Sequence, residues 1–158
     1  MSTEFSKNNQ LKRVCTIADF QFGRGVGCAL FPDNTEFRLS STKRIRYILL
    51  DGERLATLRA HDGRLTLSMQ GAKRLSDAIS APAYRVKITD EVIEFLMKGK
   101  NAMAKHVISA DENIRAGDEV MVTGEDGSLI ATGSAVLSGR EMLAFNYGVA
   151  VNVRKGSK

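Results

Sequence analysis

Long apolar runs are missing from this chain. No stretch approaches the ~18–20 consecutive apolar residues that a membrane span needs. The first nine residues, Met1 to Asn9, are polar and lack the apolar centre of a signal peptide. Cysteine is scarce: Cys15 and Cys28 are too few for a disulfide framework. Together these absences predict a cytoplasmic protein in a reducing compartment, with no membrane partner. Histidine is equally scarce. His61 and His106 lie far from both cysteines in sequence, and no pair has close metal-ligand spacing. Two histidines also leave few choices of base for a nucleophile–base–acid trio, and no motif positions one. No metal, no cofactor and no intrinsic catalysis are therefore expected.

One glycine-rich stretch, Phe22 to Gly27, invites a nucleotide-loop reading that its context opposes. A dinucleotide fingerprint needs a strand before it and a helix after it. Here a helical pattern precedes it, no helix is expected before Pro32, and no Gly-Lys-Ser/Thr follows. A tight connection is the expectation instead.

What is present is a chain of 158 residues with 43% hydrophobic content, enough for one ordinary domain or two small ones. Its net charge of +5 is unevenly spread. Residues 1–82 hold 13 Lys+Arg against 8 Asp+Glu, whereas residues 83–158 hold 10 against 10. The whole excess lies in the first half, as electrostatic attraction to phosphates would require of that surface. A solvated basic face would show the same count.

Periodicity and turn signals divide the chain into a flexible N-terminus (1–9), a small α+β domain (10–82) and a mostly β domain (83–156). Leu11, Val14, Ile17 and Ala18 share one helical face. Strands are expected at 36–40, 46–50, 55–60 and 65–69, the last three separated by Asp51-Gly52 and Asp62-Gly63 hairpin signals. A helix at 70–79 ends at Ser80-Ala81-Pro82. The second domain opens with a strand at 84–88, then a helix whose start Thr89 or Asp90 can cap and which Gly99 can terminate. Strands at 104–108, 119–123, 129–137 and 148–154 follow, with a helical turn at 138–145.

Two basic clusters stand out. Ser41 to Arg46 packs Lys43, Arg44 and Arg46 beside two hydroxyls at a strand entrance, with Arg38, Arg54, Arg59 and Arg64 on neighbouring strands. Arginine suits phosphate because its planar fork donates two hydrogen bonds at once. In the second half, Lys98-Gly99-Lys100-Asn101 joins a helix to a strand, Lys105 follows closely, and Arg154-Lys155 lies near the chain end. A glycine lets backbone approach RNA closely while flanking lysines neutralise phosphates.

The second half resembles the PUA domain, an RNA-binding module of pseudouridine synthases and archaeosine transglycosylases. The resemblance runs in order through the helix Asp90–Lys98, Gly99 to Lys105, Ala110 to Val120, Ile130 to Ala135, Ser138 to Met142 and Gly148 to Arg154. The first half, through Ala18 to Gly23, Leu30-Phe31-Pro32, Arg44-Ile45-Arg46, Leu55 to Ala60 and Leu65-Thr66-Leu67 with Gly71-Ala72, resembles the domain that precedes PUA in archaeal tRNA-guanine transglycosylases and archaeosine synthases. The resemblance implies an α+β protein: a helix plus antiparallel sheet, then a PUA-type β-barrel-like domain with two short helices. It implies this module without the family's catalytic barrel. The partners implied are structured RNA, most of all tRNA, and a separately encoded transglycosylase or archaeosine synthase subunit in the archaeosine pathway. In PUA domains the loop after the first helix and the final strand face RNA, which maps here to Lys98, Gly99, Lys100, Asn101, Lys105, Arg154 and Lys155. The balanced charge of this half shifts part of the expected grip to Lys43, Arg44 and Arg46. Two other readings remain open: a small RNA-modifying enzyme with its site in the first domain, and a protein–protein adaptor.

Overall fold

A computed structural model of the chain describes residues 3–157. The chain divides into two compact units, Met1–Ala78 and Ile79–Lys158. Among the described residues no helix is long and apolar enough to cross a membrane.

The first unit is α+β. Helix α1 (Thr3–Phe22) buries Val14 and Ala18 completely. It starts well before Leu11, where the apolar stripe begins, so residues 3–9 are helical rather than a flexible lead-in. Residues 6–9 are all polar and extend no apolar stripe, which hides this part of the helix from a periodicity test. A second helix that the sequence did not announce, α2 (Val26–Leu30), follows directly and ends before Pro32. Its five residues are too few to display a period. Asp19 Oδ1 accepts a 2.6 Å hydrogen bond from the Gly27 amide at its start. At its end, Arg74 Nε and Nη2 donate to the carbonyls of Leu30 and Ala29 at 3.0 and 2.9 Å. Gly27 presses against the Cys15 backbone so closely that a Cβ there would overlap the Cys15 carbonyl.

Four strands, β1 (Glu36–Leu39), β2 (Ile45–Leu50), β3 (Glu53–Leu58) and β4 (Leu65–Leu67), form an antiparallel meander in chain order. The Asp-Gly signal between β2 and β3 is realised with positive φ at both Asp51 and Gly52, as a type I′ turn requires. Helix α3 (Met69–Ala78) closes the unit and buries Ala72 and Leu75. The core faces Phe31, Ile48, Leu65 and Leu75 toward one another's layer, each at most 2% exposed.

The second unit is a six-stranded sheet in the order β6-β10-β9-β8-β5-β7, nearly closed into a barrel. Its strands are β5 (Arg85–Ile88), β6 (Ala102–Met103), β7 (Val107–Ala110), β8 (Glu119–Thr123), β9 (Leu129–Ala135) and β10 (Val149–Gly156). Among the described residues only the β5–β8 pairing is parallel. The two edge strands, β6 and β7, are joined by nothing but a 3-10 turn at Ala104–His106, which draws the sheet's ends together. The sequence suggested one strand at 104–108. The chain must instead turn a corner there, and Ala104, 3% exposed, is the inward side of that corner.

The expected helix at 90–98 is likewise split, into a 3-10 turn at Asp90–Val92 and α4 (Ile93–Met97). Neither Thr89 nor Asp90 caps it. Asp90 is engaged elsewhere: its Oδ1 accepts from the Glu125 amide at 3.0 Å, and its own amide donates to Glu125 Oε2 at 2.9 Å. This reciprocal pair ties the helix entrance to the β8–β9 turn. By contrast, α5 (Gly139–Ala144) opens with a complete capping box between Ser138 and Glu141.

The Gly27 approach predicts a steep cost for one methyl group. Gly27→Ala should destabilise the first unit by about 1–3 kcal/mol, because the backbone of α1 cannot yield as a side chain can. Thermal unfolding followed by circular dichroism checks this, and an unchanged midpoint would show that the two helices separate freely.

Candidate nucleic-acid interface

In the first unit, pleat alternation decides which side chains face outward. Phe37, Ile48, Ala56 and Leu67 align across the four strands, and the last three are at most 2% exposed. The neighbouring row, Arg38, Tyr47, Thr57 and Thr66, is thereby turned to the opposite face. A bulge between Ile48 and Leu49 shifts β3 so that Arg54 aligns with Leu49, and its guanidinium reaches the Tyr47 ring. The Arg46 and Arg54 Cζ atoms lie 5.5 and 5.8 Å from the Tyr47 centroid. Arg46 Nε also donates to the Tyr47 hydroxyl at 3.4 Å. That hydrogen bond, with the charges of Arg46 and Arg54, holds the Tyr47 phenol below its ordinary pKa.

The β1–β2 turn is built by its own hydroxyls. Ser40 Oγ contacts Thr42 Oγ1 at 2.9 Å and accepts from the Arg44 amide at 3.3 Å, while Lys43 takes a φ of 65°. Beside this turn runs an open groove of about 730 Å³, lined by Arg13 of α1 together with Ser40, Thr42, Arg44, Arg46 and Arg59. Arg59 is neutralised by Asp62 at 2.6 Å. Arg13, Arg44 and Arg46 have no carboxylate partner among the described residues. Three exposed guanidiniums and two hydroxyls thus give the groove a strongly positive, hydrogen-bonding lining. Of the expected residues, Arg44 and Arg46 line this groove, and Lys43 sits exposed on the turn above it. Arg13 and Tyr47 escaped the sequence reading. Arg13 lies on a helix far away in sequence, and a single tyrosine in a strand carries no signal of its own.

In the second unit, the loop after α4 is a helix terminus. Gly99 has a φ of 92°, its amide donates to the Leu96 carbonyl at 2.9 Å, and the Lys100 amide returns to Phe95 at 3.0 Å. Asn101 Oδ1 accepts from the Val153 amide at 3.0 Å, pinning the loop to β10. Lys100 and Asn101 rim a hollow of about 240 Å³ floored by Val92, Phe95, Leu96 and Met103. Phe95 is 60% exposed. Lys98, Lys105 and Lys155 are exposed, Lys105 on the 3-10 turn and Lys155 on β10.

Arg154 differs from the rest of its set. Its Nη1 donates to Glu119 Oε2 at 2.7 Å and its Nη2 to Glu119 Oε1. Glu119 is 4% exposed and also takes a hydrogen bond from Thr132 Oγ1 at 3.3 Å. A buried carboxylate needs such a partner. The guanidinium charge is therefore spent within the fold, and only its outer edge faces solvent.

Both cysteines are free thiols, Cys15 on α1 half-buried and Cys28 on α2 exposed. Cys15 Sγ donates a long hydrogen bond to the Phe31 carbonyl oxygen at 3.9 Å. Burial above all, and then the neighbouring thiol, push the Cys15 pKa up to about 11. No cluster of three or more potential metal ligands exists among the described residues.

A small α+β unit followed by a PUA-type barrel, each with unpaired cations on an open face, defines a class of two-domain module. Residues 12–82 match the patch-forming domain C2 of tRNA-guanine transglycosylase, and residues 84–156 match the PUA domain. The chain thus pairs a C2-type domain with a PUA domain, an arrangement similar to the C2–PUA module of tRNA-guanine transglycosylases. It is 45% identical over 151 residues to the tRNA-guanine(15) transglycosylase of Pyrococcus abyssi, covering 96% of this chain and 26% of that protein. With the Methanothermobacter thermautotrophicus enzyme of the same name it shares 44% over 149 residues, covering 94% and 23%. The chain thus spans about a quarter of the length of the curated relatives it matches. A crystal structure of a hypothetical protein from Pyrococcus horikoshii has the same fold, with a TM-score of 0.75 and 23% identity, covering 95% of this chain and 91% of that one.

Two outcomes follow. Arg154→Ala should destabilise the second unit by about 2–3 kcal/mol by leaving Glu119 buried and unpaired, whereas Lys155→Ala should leave the unfolding midpoint in place. Iodoacetamide reacts with thiolate, and a pKa near 11 leaves roughly one Cys15 in a thousand ionised at pH 8. Mass spectrometry should therefore find Cys28 alkylated first, with Cys15 catching up as pH rises toward 11. Equal rates at pH 8 would contradict the raised Cys15 pKa.

Proposed function

We propose that this chain binds tRNA, as the RNA-gripping module that serves a tRNA-modifying transglycosylase or archaeosine synthase and carries no catalytic site of its own. The observation that carries the reading is the match itself: nearly the whole chain aligns with about a quarter of enzymes named for acting on tRNA guanine. Physical support comes from the cations. Lys98, Lys100, Lys105 and Lys155 in the second unit, and Lys43, Arg44 and Arg46 in the first, are exposed. Gly99 brings bare backbone to the surface between two lysines. Backbone approach with flanking cations suits recognition of an RNA stem by shape and phosphate, since the deep groove of A-form RNA admits side chains poorly.

An accessory role beside a separately encoded enzyme draws support from a second feature. Leu143, Phe145 and Tyr147 are 47%, 37% and 72% exposed, with the two rings stacked at 6.0 Å. Exposed apolar groups clustered in this way favour contact with a protein surface. An enzymatic reading would require a change in tRNA nucleosides on incubation with the purified chain alone.

Binding to total tRNA across a salt series tests the proposal. Affinity should fall steeply and linearly on a log–log plot as phosphate contacts release counterions. The pair Lys100→Glu and Lys105→Glu should weaken binding at least tenfold and flatten the slope by about one per lysine engaged. Absent or salt-independent binding by the folded protein would overturn the reading.

A further inference from the structure

We infer that the outer face of the first unit's sheet holds an unpaired nucleotide, its base against Tyr47 and its adjoining phosphates in the arginine groove. The inference rests on the RNA-binding reading above and adds the conformation of the RNA that this unit takes.

Three observations carry it. Tyr47 sits half-exposed in the middle of an open sheet face, between Arg38 on β1 and Thr57 on β3, with small threonines rather than bulky side chains beyond it. The Arg46 and Arg54 guanidiniums lie against the ring, so aromatic and planar cationic surfaces occur together. Arg46 also lines the groove that holds Arg13, Arg44, Ser40 and Thr42, which places the aromatic platform and the anion site side by side within one unit.

Each part selects a different piece of a nucleotide. Guanidiniums without carboxylate partners repel one another and are relieved by an anion, and whichever of the paired Ser40 and Thr42 hydroxyls accepts within the pair keeps its own proton to donate to a phosphate oxygen. The tyrosine ring and the guanidinium planes offer π surface, which every base can cover irrespective of sequence. In a duplex the base faces are already covered by their neighbours. Only an unstacked base in a loop, bulge or end can present its face to Tyr47. The platform therefore distinguishes single-stranded from duplex RNA, which phosphates alone do not.

Fluorescence anisotropy with the full chain tests this, using a labelled eight-nucleotide single-stranded RNA and a twelve-base-pair RNA duplex over a salt series. Tyr47→Ala should weaken the single strand about 5- to 150-fold, the range of one stacked base, while leaving its log–log salt slope unchanged because stacking releases no counterions. Tyr47→Phe should bind as the parent does, and Tyr47→Leu, which preserves bulk, should show the same loss as Tyr47→Ala. Arg44→Ala should lower affinity for both RNAs and flatten the slope by about one. Single-strand affinity within twofold of the parent for both Tyr47→Ala and Tyr47→Leu would overturn the inference, as would an equal loss on both RNAs. Should tRNA still bind with steep salt dependence in that case, the RNA-binding reading stands without it. Failure of the parent chain to bind tRNA or either oligonucleotide would remove both.

Discussion

Burial of Ile48, Ala56 and Leu67 on one face of the meander is the constraint on which the first unit's candidate interface depends. A strand alternates with a period of two, so filling the core from these positions commits Arg38, Tyr47, Thr57 and Thr66 to the other side. The bulge at Leu49 adds what alternation cannot, bringing Arg54 round to the ring. Shifting the register by one residue would bury those polar side chains and expose the core, so the same hydrophobic burial that folds the sheet also positions its cations.

The second unit solves a different problem. Its sheet nearly closes, which leaves few exposed strand edges and forces the chain to turn at Ala104–His106 and at Gly99. Both corners present lysines. Closing the sheet also buries Glu119 on β8, and Arg154 on β10 is drawn inward to neutralise it. The two residues are cross-linked over β9, so the pair belongs to the barrel's construction as much as to its surface. This explains how a unit with ten cations and ten acids can still expose a basic loop: some charges cancel inside the fold, and the loop lysines do not.

Much of this architecture was legible in advance. The α+β class, the meander, its Asp-Gly hairpin, the strand at 119–123 and the order of elements all follow from local signals with short range. The misreadings share a cause. The polar start of α1, the five-residue α2, the split helix at 90–97 and the corner at 104–106 lack a period long enough to detect, and each is held by contacts distant in sequence. Arg74 capping α2 across 44 positions, and Asp90 exchanging hydrogen bonds with Glu125 across 35, are invisible to any window of a dozen residues.

Sequence by itself determined which residue types were available: a basic first half, a lysine-flanked glycine, and turns that force the strands into an antiparallel order. It could also name the family, because ordered resemblance accumulates over the whole length. Tertiary structure alone decided how each charge is used. It gathered Arg13 with Arg44 and Arg46 around one groove, set Tyr47 among guanidiniums and gave Arg154 to Glu119. The physical reason is that a side chain's charge is free or spent according to its nearest neighbours in space, and packing, not position along the chain, chooses those neighbours.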